Sequence, residues 1–156
     1  MRIFAHGSEC DQQREIVMFN TIIVGLDGSE AGWQALKYAQ DLAEKYAAKL
    51  IMVHAYPRTS DLHDWDGYDK LLSARKDSGQ KILEMGRSLM GLSPITVEED
   101  LLEGPAADAI LSVIQVRGAD LVIIGTRGMG AIKGMIFGSV ATKVSHHADC
   151  PVLVVR

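Results

Sequence analysis

A chain of 156 residues holds one domain with a complete core and is too short for two ordinary ones. With 47% hydrophobic and 23% charged residues it has the profile of a soluble globular protein, which excludes a disordered chain. A formal net charge of −4 excludes a general nucleic-acid binder, which needs a basic face to displace counterions from phosphates.

No apolar run approaches the length that crosses a bilayer, so no membrane partner is expected. Near the start, Arg2 is followed by His6, Gly7, Ser8 and Glu9, which interrupt the apolar middle that a secretory signal requires. The two cysteines, Cys10 and Cys150, have no metal-ligand spacing around them and read as free thiols of a reducing cytoplasm. The expected location is therefore cytoplasmic.

Residues 1–18 are mixed and polar and read as an arm or disordered tail, with Met18 as an alternative start of the folded unit. The domain proper is expected over 19–156. Thr21-Ile-Ile-Val24 is a buried-type strand. After the turn Asp27-Gly28-Ser29, apolar residues at 35, 36, 39, 42, 43, 46 and 47 mark one face of a helix, with Ser29 as its N-cap. Leu50–His54 is a second strand, and residues 57–67 are polar and form a loop. A helix over Tyr68–Met90 is expected to turn Leu71, Leu72, Ile82, Leu83, Leu89 and Met90 inward, and Ser93-Pro94 ends it. A third strand opens at Ile95 and continues to Leu102, at a sheet edge because Glu98, Glu99 and Asp100 lie in it. Gly104-Pro105 starts a third helix with Ile110, Leu111 and Ile114 as its apolar stripe, and Gly118 ends it. Asp120–Ile124 is the fourth strand, Ser139–His147 the fourth helix and Pro151–Val155 the last strand. Strands alternating with helices imply an α/β fold with parallel pairing and right-handed crossovers.

The residues with most chemical content follow the fourth strand, in the run from Gly125 to Ser139. A strand that empties into a glycine-rich loop and then a helix holds phosphate, because the backbone approaches the anion closely and the helix start offers N–H groups. A P-loop is rejected, since no lysine followed by Ser or Thr stands after the second glycine of its frame. The dinucleotide fingerprint also fails: Gly128 and Gly130 fit its first two positions, but Lys133 stands where the third glycine belongs. In an open parallel sheet, ligands bind beyond the carboxyl ends of strands where strand order reverses. A central first strand would bring its exit, Gly25-Leu-Asp27-Gly28, beside Gly125. Asp27 is thereby expected to take hydroxyl or base edges of a nucleotide whose phosphates meet backbone N–H groups and the Ser139 hydroxyl.

The pattern that fits is Gly-x2-Gly-x9-Gly-Ser, carried by Gly125, Gly128, Gly138 and Ser139. With the Val24-Gly-Leu-Asp27-Gly28-Ser29 opening, the Gly118-Ala-Asp120-Leu-Val lead-in and the Cys150-Pro151-Val-Leu-Val-Val155 close, the chain resembles the universal stress protein family over about residues 19–156. The resemblance implies an open five-stranded parallel sheet of order 3-2-1-4-5 with helices on both faces, flavodoxin-like or Rossmann-like. It implies the ATP-binding branch, with Asp27 on the adenosine and Ala55 along the adenine. Gly125 and Gly128 would shape the loop, and Gly138, Ser139 and Val140 would hold the phosphates. Where some relatives carry Thr or Ser after that valine, this chain has Ala141, and Thr142 is turned from that position by about 100 degrees.

The function so implied is an adenine-nucleotide-binding stress-response regulatory protein. It would bind ATP, with or without Mg2+, or AMP, and act as a homodimer through Val152–Val155. An apolar terminal strand left uncovered invites such pairing. A weak ATPase or nucleotidyl- or phosphoryl-transferring enzyme of the same fold, and a dimeric interaction module without nucleotide, are the alternatives. Asp27 is the single strong carboxylate at the loop, so slow turnover or self-phosphorylation is the most catalysis expected. Arg127 and Lys133 lie in the loop as phosphate-neutralising or merely solvated cations. His54 reads as a hydrogen-bonded core histidine, and His146-His147 as residues favoured by a helix C-terminus rather than metal ligands. His63-Asp64-Trp65-Asp66 reads as a solvated loop or a lid, and Trp33 and Trp65 as packing or surface residues.

Overall fold

The computed structural model describes residues 18–59, 66–126 and 137–156. In chain order these form β1 (Thr21–Gly25), α1 (Glu30–Tyr46), β2 (Lys49–Tyr56), α2 (Tyr68–Met90), β3 (Val97–Glu103), α3 (Ala106–Arg117), β4 (Leu121–Gly125), α4 (Ser139–His147) and β5 (Val152–Val155). The strands make one parallel five-stranded sheet of order β3-β2-β1-β4-β5, as expected. Strand order reverses between β1 and β4, which pair with Ile23 opposite Val122.

The central strands are apolar over most of their length because both their faces are covered. Ile22, Val24, Leu50, Met52 and Ile123 pack on one face with α1 and α2. Ile23, Ile51, Val53, Val122 and Ile124 pack on the other with α3 and α4. The edge strand β3 is different. Its Glu98 and Asp100 meet Arg117 of α3 at 3.1 and 2.6 Å, while Glu99 meets Arg87 of α2 at 2.5 Å. Carboxylates one residue apart thus serve opposite faces, as a period of two requires. Such exposed pairs add little stability; the row of charge keeps a foreign strand from pairing at this edge.

Local sequence explains most element limits. Ser29 caps α1, its Oγ accepting from Gly32 N–H at 3.1 Å. Ala47, expected on the inner face of α1, is instead its exposed C-cap with φ of 50°, because the chain must leave the helix there to enter β2. β3 begins at Val97, two residues later than expected, and Pro105 is the N-cap of α3 rather than within its first turn. β4 begins after Asp120, whose carboxylate accepts from the N–H groups of Asn20 and Thr21 at 2.5 and 2.8 Å and so closes the lower end of β1.

α2 carries the clearest correction. Its limits are as expected, but Leu89 is 58% exposed. The buried line is Gly79, Leu83, Gly86 and Met90. Leu89 lies six residues from Leu83, roughly 120 degrees around the helix. Two glycines make the inner stripe because the helix runs close to the sheet. A Cβ at 79 would stand 2.6 Å from Leu101 Cδ1 and 2.8 Å from His54 Cδ2; one at 86 would stand 3.1 Å from Met52 Sδ.

A second close approach involves backbone. A Cβ on Gly125 would lie 2.9 Å from the carbonyl carbon of Ala31 and 3.0 Å from the nitrogen of Gly32, so the first turn of α1 rests directly on the end of β4. Backbone gives way less than side-chain tips do. Gly125→Ala should therefore cost about 2–3 kcal/mol in urea unfolding. Gly79→Ala should cost less, since the nearest atom, Leu101 Cδ1, is the tip of a side chain that can rotate and alanine returns about 1 kcal/mol of helix propensity. Equal losses, or the reverse order, would contradict this account of the two contacts.

Candidate functional site

The exit of β1 is a turn built around a carboxylate. Gly28 takes φ of +83°, which suits glycine alone. Ser29 N–H and its hydroxyl donate to Asp27 Oδ1 at 3.0 and 2.6 Å. The same hydroxyl accepts from Gly32, so Asp27, Ser29 and the start of α1 form one bonded unit. Gly32 has no Cβ because Asp27 Oδ1 would be 2.9 Å from it.

From this unit a series of direct contacts leads to the far end of the sequence. Gly32 touches Gly125 at the end of β4. Thr126 follows, buried, with its N–H donating to the Val155 carbonyl at 2.6 Å. Its own carbonyl accepts from Gly138 N–H at 2.7 Å, so both stems of the intervening loop are tied together. α4 starts at Ser139, and its N-cap is Gly138, with no side-chain capping bond. The N–H groups of Ser139, Val140 and Ala141 have no carbonyl four residues back within the helix. The starts of α1 and α4 thus both lie at the carboxyl end of the sheet, and a helix start carries a partial positive charge that favours an anion.

Ala55 lies on the same end. The β1–β2 register runs to Gly25 opposite Val53, and β2 continues past it, with Ala55 opposite Leu102 of β3. Ala55 is half-buried, as are Asp27, Gly125 and Val140. Ala141 is 2% exposed and belongs to the core under α4, so a hydroxyl there would face the interior. Gly128, Arg127 and Lys133 lie outside the described residues, as do His63, Asp64 and Trp65.

Other groups take structural roles. His54 Nδ1 donates to the Leu26 carbonyl at 2.7 Å, the hydrogen bond expected of it, although the residue is half-buried rather than in the core. His147 Nδ1 meets the Lys143 carbonyl at 2.9 Å at the end of α4. Burial, then the Asp120 and Asp149 carboxylates, push the Cys150 thiol above its ordinary range and so disfavour the nucleophilic thiolate; the residue packs, partly buried, against the α3 and α4 side of the core. Trp33 packs, partly buried, against the α1 and α2 side of the core.

Sequence reasoning gives no sign of a clamp at the end of β2. Thr59 is fully buried, and its N–H and hydroxyl both donate to Glu103 Oε1, the latter at 2.8 Å. Arg75 of α2 donates to the carbonyls of Pro57 and Arg58 at 3.1 and 2.7 Å. These bonds join residues far apart in sequence, and no local pattern announces them. Thr126 is similarly hidden, its one signal being a β-branched residue between two motif positions.

Comparison with known proteins agrees with this architecture. The model of the universal stress protein family matches residues 18–156. A universal stress protein of Thermus aquaticus, encoded in the 3' region of a QAH/OAS sulfhydrylase, is 36% identical over 141 residues, covering 89% of this chain and all of its own length. Universal stress protein YxiE of Bacillus subtilis is 34% identical over 148 residues, with the same coverage. Among solved structures, a universal stress protein in complex with cAMP is 27% identical with a TM-score of 0.65, covering 88% of this chain and 97% of that one. Sequence, sheet order and structural likeness lead to one conclusion: the chain belongs to the universal stress protein family.

Proposed function

We propose that this protein is an adenine-nucleotide-binding regulatory protein of the stress response that works as a homodimer, with ATP, alone or with Mg2+, as its first ligand and AMP as an alternative. The observation that carries the reading is the unbroken set of contacts from Asp27 through Gly32, Gly125 and Thr126 to Gly138. It supports a site that takes both the Asp27 carboxylate and the start of α4, which has no side-chain cap. In this reading Asp27 accepts from ribose hydroxyls and Ala55 lines the adenine. Gly125 and Gly128 shape the loop. The phosphates lie at the start of α4, on the N–H groups of Ser139 and Val140 and the Ser139 hydroxyl. Gly138 serves through its small size, since its N–H is committed to Thr126. A solved relative in complex with cAMP supports an adenylate as the ligand class.

Regulation is favoured over efficient catalysis because Asp27 is engaged by its own turn and hydrolysis needs a separately positioned base. Asp27→Asn keeps an oxygen for Ser29 and removes the charge. Calorimetry should show ATP affinity falling at least about tenfold, the loss expected for a hydrogen bond to a charged group, with the melting temperature without ligand nearly unchanged. Equal affinity in both proteins would remove Asp27 from the site. ADP released steadily over many turnovers, and lost in the variant, would assign an enzyme instead.

The dimer rests on the contrast between the two sheet edges. β3 carries carboxylates at Glu98, Glu99 and Asp100, whereas β5 is Val-Leu-Val-Val. Val122 and Thr126 donate to the carbonyls of Pro151 and Val155, so the alternate residues Val152 and Val154 turn their backbone groups outward. In this reading β5 pairs with β5 of a second copy. Val154→Pro removes one outward N–H and spares the bonds to β4. Sedimentation should show a folded monomer for this variant and a dimer for the wild type; a variant that remains dimeric would reject the interface.

A further inference from the structure

We propose that His54 is the positioning residue for the Asp27 carboxylate, an inference that rests on the adenylate reading above. Regular pairing of β1 with β2 stops at Gly25 opposite Val53. One residue on, Leu26 N–H still donates to the Val53 carbonyl at 2.8 Å. The Leu26 carbonyl belongs to the peptide that leads into Asp27, and it takes its bond from a side chain, His54 Nδ1, at 2.7 Å. A carbonyl only accepts, so this ring nitrogen carries the proton. β2 thus holds Leu26 by both polar groups at the point where β1 bends into the acidic turn.

The ring itself has little freedom. Its far edge lies against α2 where Gly79 has no side chain, with a Cβ there only 2.8 Å from Cδ2 and 3.4 Å from Nε2. The Leu26 side chain is buried in the core beside it, 4% exposed. On the other side of the turn, Ser29 holds Asp27 Oδ1. His54 fixes the backbone entering the turn and Ser29 fixes the carboxylate leaving it. Together they set where the carboxylate meets its ligand before any ligand arrives, which reduces the ordering that binding must oppose.

Two conservative replacements separate the bond from the bulk. Asparagine places an amide N–H near the position of Nδ1, whereas phenylalanine keeps the ring and has no donor. In the full chain without nucleotide, His54→Phe should speed amide exchange at Ser29 about fivefold, and His54→Asn should leave it within about twofold, as expected for one net hydrogen bond. ATP dissociation constants from calorimetry should follow the same order. Should the phenylalanine variant not fold, His54→Gln, whose amide reaches toward Nε2 instead, takes its place with the same expected loss. Unchanged exchange in the variant without the Nδ1 donor, or equal loss in the asparagine variant, would overturn the proposal. If the wild type takes no ATP, the adenylate reading fails, while the exchange comparison still decides what His54 does.

Discussion

The contact of α1 with the end of β4 organises the upper half of this molecule. Backbone approaches backbone there because position 125 is glycine: a Cβ at 125 would meet the Ala31 carbonyl carbon, its Cβ and the Gly32 nitrogen, all within 3.0 Å. Each absent Cβ has a separate cause. The first admits the helix to the strand end; the second admits the helix to the Asp27 carboxylate. A larger residue at either position would force the start of α1 to shift. A topological switch point supplies a gap in any sheet of this order.

The rest of the fold serves that arrangement from below and from the sides. Packing on both faces makes β1, β2 and β4 a rigid base, and Asp120 ties the lower ends of β1 and β4 together. At the upper end, side-chain bonds add to the backbone bonds that continue past the strands. His54 holds the exit of β1, while Glu103 and Arg75 hold the exit of β2. Sites placed on such braced ends are more precise than sites on unsupported loops. The two sheet edges differ in what they admit. Charge on β3 repels a neighbouring strand, and the apolar β5 accepts one in the proposed dimer.

Much of this is legible in the sequence, for identifiable reasons. Four apolar runs and one charged edge run, alternating with helical periods, indicate the class of fold, and the glycine spacing around Ser139 with its flanking segments indicates the family. The end of α2 follows from local breakers, Gly91 and Ser93-Pro94. What the sequence hides is what depends on partners. Leu89 reads as internal because it is apolar, although Gly79 and Gly86 form the inner line; an apolar pattern does not register a face made of absent side chains. Ala47 continues the period but has to leave the helix. The buried Thr59 depends on Glu103, forty-four residues away, and the charges of β3 depend on arginines from two helices. Within the candidate site, the place of Asp27 at the sheet's carboxyl end follows from strand order alone, whereas the commitment of the Gly138 N–H to Thr126 needs coordinates.

The central claim is that the acidic turn and the start of α4 form one adenylate site. An ATP titration followed by amide chemical shifts tests it most directly. The account predicts that Gly28, Ser29, Ser139 and Val140 shift together with a single dissociation constant. Shifts confined to one of the two segments, or two segments saturating at different ATP concentrations, would contradict it.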